Sequence, residues 1–95
     1  MTWPQHSRRD EPPRAFFVER YISPAAAADL ATSTARLADL CAGTPVHYLY
    51  SAYLSTEDTC FCLFRAPSAD AVRAMNSRAD FGLDRIVDAV LLPPR

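Results

Sequence analysis

Residues 46–66 read VHYLYSAYLSTEDTCFCLFRA, in which two apolar and aromatic runs flank a short polar turn. The runs cover residues 46–55 and 59–66, and Thr56-Glu57-Asp58 separates them. Two strand-forming runs joined in this way are typical of an antiparallel β-hairpin. The hairpin forms the middle of the predicted fold, and the segments before and after it have similar strand and helix patterns.

A strand and a helix are predicted on each side of the hairpin. Ser23 and Pro24 begin an alanine-rich helix that stops at Gly43, and Pro67-Ser68 begins a second helix. We predict strands over residues 16–22, 46–55, 59–66 and 85–92. The resulting order, β-α-β-β-α-β, predicts an α+β fold in which a four-stranded antiparallel sheet carries both helices on one face.

Length and composition fit one domain. The chain has 95 residues, of which 49% are hydrophobic, which is enough for one small core. Residues 1–13 combine prolines with a charge cluster, so we predict a flexible N-terminal tail there. The domain is predicted over residues 14–92, followed by a C-terminal tail over residues 93–95.

Charge and hydropathy exclude several classes of function. The net charge is −1, and the ten basic residues are scattered arginines, so no nucleic-acid partner is expected. The absence of lysine excludes Schiff-base chemistry, including that of pyridoxal phosphate. No signal peptide and no apolar run of about 20 residues is present, so we expect a cytoplasmic protein without a membrane contact. Three cysteines, an odd number, are expected to be reduced thiols.

Alternation along the strands predicts a second, uncovered face of the sheet that is too apolar to stay in water. Such a patch predicts a homodimer that packs sheet on sheet and encloses a cavity for a small organic ligand. The residues expected to line this cavity and bind the ligand are Phe17, Tyr21, Leu49, Ser51 and Cys62.

Four ionisable or phenolic side chains are candidates for catalysis on the same face: Glu19, His47, Tyr53 and Asp88. A carboxyl group or imidazole in an apolar cavity can move a proton, and a phenol can donate to a developing oxyanion. This set suits a cofactor-independent isomerase, cyclase or oxygenase. The alternative for Glu19 is a salt bridge with Arg85 or Arg65, and the alternative for Tyr53 is ordinary packing.

The second functional hypothesis is a metal site. The first hypothesis, a cofactor-independent enzyme, requires no cofactor. His47, Cys60 and Cys62 offer an imidazole and two thiols, which suit nickel or zinc. The alternative is that both cysteines pack as small apolar residues. A third hypothesis is a regulatory or partner module without catalysis.

The chain resembles a small family of ferredoxin-like proteins that includes a nickel-binding, nickel-responsive protein. The resemblance is carried by Phe17-Val18-Glu19-Arg20, residues 51–53, Cys62 with Ala66-Pro67, and Asp84-Arg85-Ile86. It implies a ferredoxin-like fold, a dimeric α/β barrel and nickel as a ligand. One departure stands out: where the family commonly shows a glutamate-histidine-alanine run in the second helix, this chain has Ala74-Met75-Asn76, so one potential metal ligand is missing.

Overall fold

Four strands and two helices follow one another in the predicted order in the computed structural model, which describes residues 14–93. The predicted tail over residues 1–13 and the last two residues lie outside the described part. The strands are β1 (Arg14–Tyr21), β2 (His47–Leu54), β3 (Thr59–Ala66) and β4 (Arg85–Ala89), and the helices are α1 (Leu30–Cys41) and α2 (Ala69–Arg78). Short 3-10 turns cover Ala27–Asp29 and Ser55–Glu57.

The sheet has the strand order β2-β3-β1-β4, and every neighbouring pair is antiparallel. The two central strands, β1 and β3, pair over their full lengths from Arg14 opposite Ala66 to Tyr21 opposite Thr59. This order, with both helices packed on one side, is the ferredoxin-like arrangement, and the predicted fold class is confirmed.

The core lies between the helices and one face of the sheet. Strand residues alternate between faces, so Phe16 and Val18 of β1 and Cys62 and Phe64 of β3 point into it, and all four are fully buried. Leu37 of α1 and Val72 of α2 close the core from the helix side, and both are also fully buried.

Element ends differ from prediction at two places for local reasons. Ser23 accepts hydrogen bonds from the backbone nitrogen of Ala26 at both its side chain and its carbonyl, so tight turns come first and α1 begins at Leu30 instead of Pro24. Strand β4 ends at Ala89 rather than at residue 92, because Ala89 pairs with Ala15 and described β1 extends only one residue further. Helix α2 begins as expected, with the Ser68 side chain accepting from the nitrogen of Ala71.

A β-bulge in β2 changes which side chains face the helices. Tyr48 pairs with Phe64, but Tyr50 pairs with the next residue of β3, Leu63, so Leu49 is an extra residue between them. A bulge reverses the facing of every later residue in the strand. The residues after it therefore lie on the faces opposite to those predicted.

Candidate functional site

The face of the sheet away from the helices, here called the open face, carries the candidate site. Its members come from all four strands: Phe17, Glu19, Tyr21, His47, Tyr50, Ala52, Leu54, Phe61, Leu63, Arg65, Arg85 and Val87. Several are large apolar or aromatic side chains that are exposed to solvent, with Tyr50 at 60% and Tyr21 at 63%. The predicted uncovered face therefore exists, although some of its members differ from those predicted.

Aromatic rings occupy the middle of the open face. The rings of Phe17 and Phe61 stack in parallel planes with centroids 4.8 Å apart. Tyr50 lies beside them on β2, opposite Leu63. Aromatic pairs of this kind bury large areas and dominate the energetics of interfaces.

Charged groups lie toward two ends of this aromatic centre. Glu19 and Arg85 are direct cross-strand partners, and the Arg85 Nε donates to Glu19 Oε1 at 2.5 Å. His47 and Arg65 are cross-strand partners at the other end, where His47 is exposed. Of the alternatives predicted for Glu19, the salt bridge with Arg85 is the one present.

The four catalytic candidates do not come together within one chain. Glu19 and His47 share the open face but lie four register positions apart with β3 between their strands, or roughly 16 Å from strand spacings. Tyr53 was expected on the open face, which is wrong, because the bulge turns it toward the helices opposite Cys60. Asp88 was also expected on the open face, which is wrong, because it pairs with Phe16 and lies on the helix side of the sheet. It is exposed there and accepts from Arg14 at 2.9 Å.

Two of the five candidate ligand-binding residues also face the helices. Ser51 is turned by the same bulge, and its hydroxyl donates to the sulfur of Cys62. Cys62 is fully buried in the core, so neither residue lines the open face. Phe17 and Tyr21 lie on the open face as expected, and Leu49 is the exposed extra residue of the bulge.

The predicted metal-binding set is divided by the sheet. His47 is exposed on the open face, whereas Cys60 and Cys62 are fully buried on the helix side. Across residues 14–93, no group of three or more His, Cys, Asp or Glu side chains is placed to hold a metal ion. The donors of this part of a single chain therefore do not fit a nickel ion. All three cysteines are free, as expected, and all three are buried.

The residue that sequence reasoning missed is Arg20, which is 1% exposed and lies on the helix side of β1. Its guanidinium stacks over the ring of Phe81 at 3.6 Å and donates to the carbonyls of Phe81 and Gly82. It also donates to Asn76 Oδ1 at 2.8 Å and to the sulfur of Cys62 at 3.4 Å. The signal was the strand alternation itself, because Arg20 has the same parity as Phe16 and Val18.

Two clefts lie beside the segment that follows α2. One, of about 500 Å³, is lined by residues that include Tyr21, Asp29 and Asp84. The other, of about 300 Å³, includes Arg73 and Asn76. Phe81, Gly82 and Leu83 line both.

A family model described as nickel responsive protein SCO4226-like matches residues 16–88. The chain belongs to this family. The match confirms the resemblance seen in the strand motifs and covers all of the sheet except the ends of β1 and β4. No curated protein and no solved structure matches the chain. In the described residues of this SCO4226-like chain, no helix is long and apolar enough to cross a membrane.

Proposed function

We propose that this SCO4226-like protein is a homodimeric, metal-responsive binding protein in which two copies pack open face to open face. The observation that supports the dimer is the exposed aromatic centre of the open face, formed by Phe17, Tyr50 and Phe61. Monomeric soluble proteins rarely leave such a contiguous apolar patch in water. A dimer would cover it.

The distribution of charge on the open face also supports an interface. Apolar residues occupy the middle, and the pairs Glu19 with Arg85 and His47 with Arg65 lie toward its ends. An apolar centre with a polar rim is the usual anatomy of a protein interface. Two sheets that pack face to face are about 10 Å apart, which leaves space for a ligand where they splay.

Family membership makes nickel the first candidate ligand. Because the described donors of one chain do not form a metal site, we propose that a metal ion is bound only by the dimer, with His47 contributing from each copy. Imidazole is a suitable ligand for nickel. Under this proposal, nickel binding requires both the imidazole of His47 and an intact open-face interface.

Nickel titration of tag-free protein by calorimetry tests this proposal. We expect saturable binding in the natural sequence, loss of binding in His47→Ala, and full binding in His6→Ala, which removes the chain's other histidine. Binding that survives His47→Ala would contradict the role of His47. Absence of any saturable binding to a protein that is dimeric would contradict the choice of nickel but leave the dimer standing.

A small organic molecule is the second candidate ligand. Glu19 is two residues after Phe17 in β1, so its carboxylate lies on the same face as the stacked Phe17 ring. In the dimer this carboxylate would be the acid-base group of an apolar cavity. Native mass spectrometry of the purified dimer should then show a co-purified organic mass, which Glu19→Gln releases and Glu57→Gln, in the exposed turn after β2, retains. A dimer with no surplus mass in any variant would refute this candidate.

A further inference from the structure

The Cys62 sulfur lies in the core, but it is surrounded by hydrogen-bond donors that suit a negatively charged sulfur. Its side chain is fully buried on the helix side of β3. The Ser51 hydroxyl donates to its sulfur at 2.8 Å, and the Tyr48 hydroxyl is hydrogen-bonded to the Ser51 hydroxyl. The guanidinium of Arg20 donates to the same sulfur at 3.4 Å. The sulfur thus accepts from a neutral donor and from a cation.

Arg20 is a buried cation without a carboxylate partner in residues 14–93. The two ion pairs in this part of the chain join Arg14 with Asp88 and Arg85 with Glu19. The Nε of Arg20 has no hydrogen-bond partner there, and its other donors contact neutral groups or Cys62. A buried charge without a counter-charge is strongly destabilising. Among the groups that Arg20 contacts, Cys62 is the one that can supply a negative charge.

We propose that Cys62 is a thiolate that forms an ion pair with Arg20, and that it is the cysteine which a hydroperoxide oxidises in this protein. A thiolate is the reactive form of cysteine, and a neighbouring arginine favours it. The thiolate sulfur attacks one oxygen of hydrogen peroxide, so an S–O bond forms as the O–O bond breaks. The sulfur becomes a sulfenic acid, and the departing hydroxide takes a proton from solvent and becomes water.

Neither of the two other cysteines accepts a hydrogen bond from Arg20, and in both of them burial favours the neutral thiol. Burial, followed by the charge interaction and the hydrogen bond with Cys62, raises the pKa of Cys60 to about 11 although Arg20 acts in the opposite direction, so Cys60 stays protonated at neutral pH. Burial also raises the pKa of Cys41, at the end of α1, where no cation opposes the effect. Cys41 is therefore the matched control for Cys62, being a buried thiol without an arginine.

A cleft lies beside the groups that bind the Arg20 guanidinium. Asn76, Phe81 and Gly82, which accept hydrogen bonds from the guanidinium, all line the 300 Å³ cleft. A single layer of groups thus separates Arg20 from solvent. Hydrogen peroxide is close to water in size, so a small opening of this layer admits it.

The test uses the full chain in its folded state. The protein is treated with hydrogen peroxide, unfolded, alkylated, and analysed by mass spectrometry for the unoxidised fraction of each cysteine. We expect Cys62 to be oxidised at least roughly tenfold faster than Cys41, and the difference to vanish when the treatment is done in urea. Arg20→Met, which removes the charge but keeps much of the volume, should slow oxidation of Cys62 by about the same factor.

A second measurement keeps the proposal testable if Arg20→Met does not fold. The ultraviolet absorbance of thiolates in the folded natural sequence at neutral pH should show one thiolate per chain. This signal should disappear in Cys62→Ser and persist in Cys41→Ser. Equal oxidation of Cys41 and Cys62 in the folded protein, or no thiolate absorbance at neutral pH, would overturn the proposal.

Discussion

Replacing Tyr50 with threonine should weaken the proposed dimer without weakening the fold. Tyr50 is 60% exposed on the open face, next to the Phe17 and Phe61 pair. A buried tyrosine removes about 150–250 Å² from water, so about 120 Å² is still available to an interface. At ~25 cal/mol per Å² this area corresponds to about 3 kcal/mol for each copy. Threonine keeps a high β-propensity, so β2 should persist.

Threonine keeps part of this area, and ordering the Tyr50 side chain at the interface has a cost, so we expect a loss of about 3 kcal/mol for the two copies together. The dissociation constant, measured by sedimentation, should therefore rise by about a hundredfold. Tyr53→Thr is the matched control, because the bulge turns Tyr53 to the helix side of the same strand. It should lower the free energy of unfolding by about 1–2 kcal/mol and leave the dissociation constant within about threefold.

Two results would refute this reasoning. A dimer weakened by Tyr53→Thr and not by Tyr50→Thr would mean that β2 has no bulge between Tyr48 and Tyr50. A dissociation constant unchanged in both variants would mean that the open face is not the interface.

Three further predictions concern the fold. Leu37→Ala, at a fully buried position of α1, should lower the free energy of unfolding in urea by about 2–5 kcal/mol. The control Leu54→Ala, on the open face, should lower it by less than about 1.5 kcal/mol. Equal losses would place Leu37 outside the core. Ser68→Ala removes the N-cap of α2 and should lower the free energy of unfolding by about 1 kcal/mol. Ser77→Ala, at an exposed position of the same helix, should leave that free energy nearly unchanged. A larger loss in Ser77→Ala than in Ser68→Ala would contradict the N-cap. The pKa of Cys60 is raised from 9.0 in the unfolded chain to about 11, so its contribution to stability is complete below pH 9 and is lost as pH rises through 11. Stability should fall over that window by on the order of 2 kcal/mol more than in Cys60→Ala, and parallel curves for the two proteins would count against the raised pKa.

The fold was predictable from local sequence patterns, because the residues of each strand and helix carry the pattern that predicts that element. The hairpin is the best case: β3 was predicted at Thr59–Ala66 and has those bounds. Proline and serine at positions 67 and 68 also located the start of α2 correctly. These signals depend on neighbouring residues alone, so no knowledge of distant contacts was needed.

The facing of β2 was not predictable, because strict alternation has no signal for one extra residue. The bulge at Leu49 is set by how β2 registers on β3, a contact between segments. It moved Ser51 and Tyr53 to the helix side and Tyr50 to the open face. The composition of the candidate site changed although the strand itself was predicted correctly.

The buried position of Arg20 was missed for a different reason. Alternation placed it with Phe16 and Val18, but a charged residue is expected at the surface unless it has a partner. Its partners, Asn76, Phe81 and Cys62, come from three other parts of the chain, and only the folded structure brings them together.

Sedimentation equilibrium of the natural sequence at micromolar concentration tests the proposed interface most directly. We expect a particle of twice the 10.5 kDa chain mass, which Tyr50→Thr converts toward single chains. A particle of 10.5 kDa in the natural sequence would contradict it, because the aromatic centre of the open face would then stay in water without a second copy.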